Sequence, residues 1–126
     1  MPELLDGKTA LVVGVANKRS IAWAIARRLD EAGARLALTY QGERTEGEVR
    51  KLAQTLSTPA AAVLPLDVQD DGQIASATAG AADALGGIDV LVHAVAYARP
   101  EDLGGRFVDT TREGFHLALD VSAYSL

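Results

Sequence analysis

The chain has 126 residues and a net charge of −5, from 12 basic and 17 acidic side chains, a balance that argues against binding nucleic acid along its phosphate backbone. It has no cysteine, which excludes disulfides, thiolate metal sites and cysteine nucleophiles. Ile, Leu, Val and Phe supply 33 residues and Ala 23, enough for a core; no apolar run approaches the ~18 residues of a membrane span, and the start lacks the basic and apolar regions of a signal peptide. These features predict a soluble cytoplasmic protein without membrane association, one domain or part of one.

Lys8–Val15 is a near-continuous apolar run, the pattern of a strand covered on both faces. Ser20 is placed to cap a helix running to about Ala32, with Ile21, Ile25 and Leu29 on one stripe and Gly33 as its stop. Arg35–Tyr40 reads as a second strand. Glu43–Leu56 reads as a second helix with Val49, Leu52, Ala53 and Leu56 as its apolar face, ended by Pro59. Ala61–Val68 reads as a third strand, and Pro65 places it at a sheet edge. Asp70 with Gln73 has the spacing of a capping box before a helix over Ile74–Leu85, which Gly86 and Gly87 terminate. Ile88–Ala96 reads as a fourth strand. A loop over 97–109 follows, then a second box of Thr110 with Glu113 and a helix into Leu126.

This alternation predicts an α/β fold: a Rossmann-like, doubly wound parallel sheet with right-handed crossovers, cut off after the fourth strand and its following helix. The segment between the first strand and first helix, Gly14–Ile21, is the informative one. A helix start offers unpaired N–H groups and a partial positive charge, so it can hold a phosphate. Gly14 and Ala16 are small enough for close backbone approach. Only Gly14 remains of the three-glycine dinucleotide fingerprint, so the same segment also reads as an ordinary strand-to-helix loop with a serine cap. His93 reads as a hydrogen-bonded core histidine, and Trp23 as a packing residue rather than a cofactor platform. No histidines and carboxylates have metal-ligand spacing on one helix, so no metal is expected.

Residues 14–26 resemble the cofactor loop of bacterial enoyl-acyl carrier protein reductases, a divergent branch of the short-chain dehydrogenase/reductase superfamily in which a Ser-Ile pair stands in for the usual glycines. The resemblance continues through Leu38–Arg44, Leu66–Val68, Leu91–Ala98, Thr111–Phe115 and Asp120–Leu126, in order and at similar spacing. It implies that Gly14, Ala16, Ser20 and Ile21 contact a pyrophosphate, Ser20 donating both its hydroxyl and its backbone N–H. It also implies that Asp67 and Val68 flank adenine, that Ala94 and Val95 lie beside the nicotinamide ribose, and that Ala98 touches substrate. Gln41 stands where such folds read the adenosine ribose; being neutral, it leans the expectation to NADH, while Arg44 keeps NADPH as the alternative. The bland readings stay open: a plain cap for Ser20, a solvated charge for Arg44, turn capping for Asp67 and strand packing for Ala94–Ala96.

The resemblance further implies reduction of the double bond of enoyl thioesters on acyl carrier protein, in fatty acid synthesis, by a homotetramer. It also implies a catalytic Tyr followed about seven residues later by Lys. Tyrosines stand at 40, 97 and 124 and lysines at 8, 18 and 51, so no such pair is present and no catalytic residue is assigned. The expectation is therefore the N-terminal portion of one reductase domain, inactive by itself. A non-catalytic dinucleotide-binding fragment or gene remnant is the alternative. A carbonyl-reducing relative would be expected to carry a glycine-rich loop, and a receiver domain an acidic pair where Asn17, Lys18 and Arg19 stand.

Overall fold

In the computed structural model, which describes residues 3–126, the apolar runs form four strands: β1 Thr9–Val13, β2 Arg35–Tyr40, β3 Ala62–Pro65 and β4 Val90–His93. They pair in parallel in the order β3-β2-β1-β4, with Ala10 opposite Leu36 and Val90, and Leu38 opposite Val63. Helices α1 Ile21–Glu31, α2 Glu43–Thr55 and α3 Asp71–Leu85 connect them. This is the parallel doubly wound arrangement that the sequence predicts. The chain divides into two compact units, one reaching to Ala94 and the other spanning Val95–Leu126.

Alternation along the strands sends side chains to two faces. Ala10, Val12, Leu36, Leu38 and Tyr40 pack with Ala22, Trp23 and Ala26 of α1 and Val49 and Ala53 of α2. Leu36 and Leu38 are fully buried, each contributing about 1.5–3 kcal/mol by leaving water. Leu11, Ala37 and Thr39 point the other way, and α3 buries Ala77, Ala81 and Leu85. A Cβ added at Gly80 of α3 would lie 3.4 Å from Leu64, so helix and β3 approach closely.

Several boundaries and faces differ from the sequence reading. Strands β1, β3 and β4 are shorter than the apolar runs at 8–15, 61–68 and 88–96, and α2 ends one residue early, at Thr55. The apolar residues past each strand end belong to loops that leave the sheet. The predicted α1 stripe is corrected: Ile21 is 77% exposed, and the buried face is Ala22, Trp23, Ala26 and Asp30. Ile21 opens the helix on its solvent side, one position before the residues that meet the sheet. Trp23 is core, as expected. Pro65 does stand on an edge strand. The Leu66 N–H donates inward to the Tyr40 carbonyl at 2.8 Å, so the position before it faces the open edge, where proline loses no bond. His93 is half-buried opposite Val13, so it is not a full core residue.

Two polar clamps in the first unit were not foreseen. Thr9 and Asp89 exchange bonds: the Thr9 N–H donates to Asp89 Oδ2 at 2.9 Å, and the Asp89 N–H donates to Thr9 Oγ1 at 3.1 Å. Buried Asp30 accepts the Ser57 N–H on Oδ2 at 2.7 Å and the Thr58 N–H on Oδ1 at 3.3 Å, tying α1 to the turn after α2.

In the second unit, 3₁₀ turns occupy Pro100–Asp102 and Phe107–Asp109, and helix α4 runs Arg112–Leu119 into a π-helical turn, Asp120–Tyr124, instead of continuing as one α-helix. The cap is Thr111, not Thr110: its Oγ1 accepts the Gly114 N–H at 3.0 Å. Glu113 faces Arg99 at 3.9 Å and closes no box. Arg99 pairs with Asp102 at 2.9 Å, which holds its guanidinium above the ordinary value. The Asp102 carboxylate lies where a Cβ on buried Gly114 would be, so the cap settles where residue 114 has no side chain.

Replacing Asp30 by Ala leaves two backbone N–H groups without acceptors. Denaturant unfolding should show a loss of about 1–3 kcal/mol, and Asp30→Asn, which keeps one acceptor oxygen, a smaller one.

Candidate functional site

Parallel pairing brings the carboxyl ends of all four strands to one edge of the sheet. The chain order reverses between β1 and β4, and such a switch point is where open α/β sheets bind ligands. Gly14 leaves β1 there at φ +117°, a conformation that side chains rarely adopt. Beside it the Ala94 N–H donates to the Val13 carbonyl at 3.0 Å, so β1 and β4 stay paired up to the point where their loops part.

The loop from Gly14 to Ser20 is built around one hydroxyl. Ser20 Oγ accepts the Ala16 N–H at 2.9 Å and the Asn17 N–H at 3.0 Å. Asn17 then accepts the Arg19 N–H on its side chain at 2.8 Å and the Ser20 N–H on its carbonyl at 3.1 Å, so the expected donation of the Ser20 N–H to a ligand is corrected: the loop turn uses it. Ser20 is the N-cap residue of α1 by backbone geometry, yet its side chain makes no capping bond. The expected serine cap is corrected accordingly: the hydroxyl folds the loop behind it. Two consequences follow. With both acceptor sites used, the hydroxyl proton is left to donate outward. The Ile21 and Ala22 N–H groups, which have no acceptor within a helix's first turn, also remain open.

The charge around this terminus suits an anion. The first turn of α1 holds no acidic residue, whereas α2 begins with Glu43 and Glu46 and α3 with Asp71. The helix dipole of α1 is therefore not already answered by a side chain. Gly14, Ala16 and Ser20 are half-buried and Ile21 is exposed, whereas Ala22 is buried, so the Ser20 hydroxyl and the Ile21 N–H are the donors at a surface.

The other strand ends carry the remaining residues singled out from the sequence. Gln41 follows β2 and is exposed; its carbonyl accepts the Thr45 hydroxyl at 2.7 Å, leaving the side-chain amide for solvent or ligand. Arg44 is exposed one turn on. Behind them, burial and the Glu46 carboxylate hold the Tyr40 hydroxyl above the ordinary phenol range, and Arg50 lies over the Tyr40 ring at 5.9 Å. Asp67 and Val68 follow β3. Asp67 Oδ1 accepts the Gln69 N–H at 3.0 Å, so the turn-capping reading is realised with one oxygen and Oδ2 is left over. Val68 is buried.

The sheet thus gathers Gly14, Gln41, Asp67 and Ala94 at strand ends, with Ala16, Ser20 and Ile21 in the loop after β1. Val95 and Ala98 belong to the second unit, where both are half-buried in the segment leading to Arg99. Sequence reasoning missed that the Ser20 hydroxyl faces back into the loop, a direction that no side-chain pattern reveals. It also missed the part Asn17 plays, although a loop Asn two residues before an Arg is a recognisable turn signal.

A family model described as Enoyl-(Acyl carrier protein) reductase matches residues 14–126. The Bacillus cereus protein named as the NADH enoyl-[acyl-carrier-protein] reductase is 51% identical over 124 residues, covering 98% of this chain and 48% of the relative. The Staphylococcus aureus protein named as the NADPH enzyme is 45% identical, covering 97% of this chain and 48% of the relative. A crystal structure of the Bacillus cereus enoyl-acyl carrier protein reductase with NADP+ and indole naphthyridinone superposes with a TM-score of 0.92 at 50% identity, over 98% of this chain and 48% of that one. The chain spans about half the length of the curated relatives it matches.

Ser20→Ala removes the acceptor of two loop amides. Hydrogen exchange at Ala16 and Asn17 should accelerate about five- to thirtyfold, the effect of losing about 1–2 kcal/mol of local protection, while core amides in β1 and β2 keep theirs.

Proposed function

The chain belongs to the enoyl-(acyl carrier protein) reductase family, and on that premise we propose that it forms the dinucleotide-binding N-terminal part of an NADH-dependent reductase of enoyl thioesters on acyl carrier protein. The observation that carries this reading is the Ser20 hydroxyl, which accepts two loop amides and so keeps its proton for a ligand beside the open Ile21 N–H. Two accessible donors at a helix start without acidic competition fit a pyrophosphate. Gln41 would meet the adenosine ribose, Asp67 and Val68 the adenine, and Ala94 and Val95 the nicotinamide ribose. Ala98 would touch the acyl substrate. When bound, the cofactor supplies the hydride for the double bond.

NADH is favoured over NADPH because the position after β2 holds neutral Gln41, and α2 then begins with Glu43 and Glu46, whose charges oppose a 2′-phosphate. Arg44 is the one exposed cation between Gln41 and Glu46, and it stands between those two carboxylates in sequence. The named relatives use both cofactors, so the preference rests on these residues and not on the family. The role of this chain is to bind, orient and exclude water; no tyrosine here stands about seven residues before a lysine to protonate or stabilise an enolate. The resemblance supports a cytoplasmic homotetramer as the working assembly.

Calorimetric titration of the 126-residue chain should show NADH binding more tightly than NADPH, with Arg44→Ala leaving NADH unchanged. Incubation with an enoyl thioester and NADH should give no oxidation at 340 nm. Equal or tighter NADPH binding contradicts the cofactor assignment, and turnover that survives repurification contradicts the division of roles.

A further inference from the structure

The spacing of Asp70 and Gln73 predicts a reciprocal capping box, and only half of one forms. Asp70 Oδ1 accepts the Gln73 N–H at 3.1 Å, as a cap should. The Gln73 side chain does not return to the Asp70 N–H, which instead donates to the Asp67 carbonyl at 3.0 Å. Gln73 Oε1 reaches past it and accepts the Asp67 N–H at 2.8 Å. The amide orientation is chemically determined: one end meets an N–H and must be oxygen, while Nε2 faces Asp70 Oδ2 at 3.4 Å.

Asp67 is therefore held at three atoms. Its N–H goes to Gln73, its carbonyl accepts from Asp70, and Oδ1 accepts from Gln69. With these fixed, the peptide planes on both sides of Asp67 are set, and so is the direction of Oδ2. The same planes aim the backbone of Val68. Of the three restraints, two come from the turn's own backbone and local chain. Only the bond to Gln73 is made by a side chain from the helix, and it spans two half-buried residues.

We propose that Gln73 is a positioning residue for adenine recognition: by holding the Asp67 N–H it aims Asp67 Oδ2 at the adenine amino group. This rests on the reading above that Asp67 meets adenine. Gln73 itself touches no ligand. Its removal frees the Leu66–Asp67 peptide to rotate, and the carboxylate then samples directions in which the amino group finds no acceptor.

The test is a ratio of affinities. Hypoxanthine presents a carbonyl oxygen where adenine presents its amino group, so a carboxylate aimed there discriminates between them. The 126-residue chain, Gln73→Met and Gln73→Glu are titrated with NADH and with reduced nicotinamide hypoxanthine dinucleotide. The unsubstituted chain should favour NADH by about tenfold or more, the least expected of a hydrogen bond to a charged group. Gln73→Met should bring the two affinities to within about twofold, and Gln73→Glu, which keeps an acceptor oxygen for the Asp67 N–H but sets its other oxygen against Asp70 Oδ2, should restore part of the preference. If Gln73→Met weakens both ligands equally and the preference survives, Gln73 serves only the fold and the proposal is overturned. If the unsubstituted chain binds both dinucleotides alike, the adenine assignment of Asp67 fails and the inference with it. If it binds neither, the proposed function itself fails.

Discussion

All four strands point the same way, and everything that can bind a ligand here depends on that. Parallel strands joined by helices discharge every β-to-α loop at one edge of the sheet. A residue that follows β1 and one that follows β3 are far apart in sequence, yet they share that edge. The helical crossovers enforce it: α1, α2 and α3 each carry the chain back along the sheet, so every strand starts at the same end as the one before. The two polar clamps hold that arrangement together. Thr9 and Asp89 lock the amino-terminal side of β1 to β4, and Asp30 locks α1 to the turn after α2.

On that edge, side chains that would ordinarily cap helices are turned to building loops. Ser20 and Gln73 both stand at helix starts, and both send their oxygens backward to accept main-chain N–H groups of the preceding segment. For α1 the effect is to leave the helix N-terminus open. For α3 the helix keeps its cap through Asp70, and Gln73 becomes available to fix Asp67. Side-chain oxygens turned backward therefore leave an open helix terminus at one strand end and a braced carboxylate at another. The difference lies in which neighbouring N–H lacks a partner.

Most of the architecture was legible because burial on two faces produces apolar runs, and all four strands lie inside the runs that announced them. The excess length of those runs has a physical cause. Val15, Leu66 and Val68 are buried although they lie past the strand ends, Val15 in the same core cluster as α1, so hydrophobicity alone extends the strand too far. Ile21 was misplaced on the buried stripe because periodicity marks spacing and not phase; the phase is set by Ala22 and Ala26, which are small enough to let the helix close on the sheet. At α4 two threonines compete for the cap, and the choice falls to Thr111 through Gly114 and its close neighbour Asp102, a pairing across twelve positions that a local motif cannot register. Of the candidate site, the positions at the strand ends were readable and the hydrogen-bond directions were not. A serine before a helix looks the same whether its hydroxyl points forward or back.

At the start of α1 the Ser20 hydroxyl proton and the open Ile21 amide would cradle the phosphates of a dinucleotide, and the proposed function stands on that. Amide chemical shifts of the ¹⁵N-labelled chain, followed as NADH is added, test it residue by residue. The account requires the largest shifts at Ser20, Ile21 and Ala22, accompanied by Gln41, Val68 and Ala94 at the other strand ends. Saturable shifts that leave residues 14–22 in place would contradict it, because NADH would then be binding somewhere other than the loop that Ser20 builds.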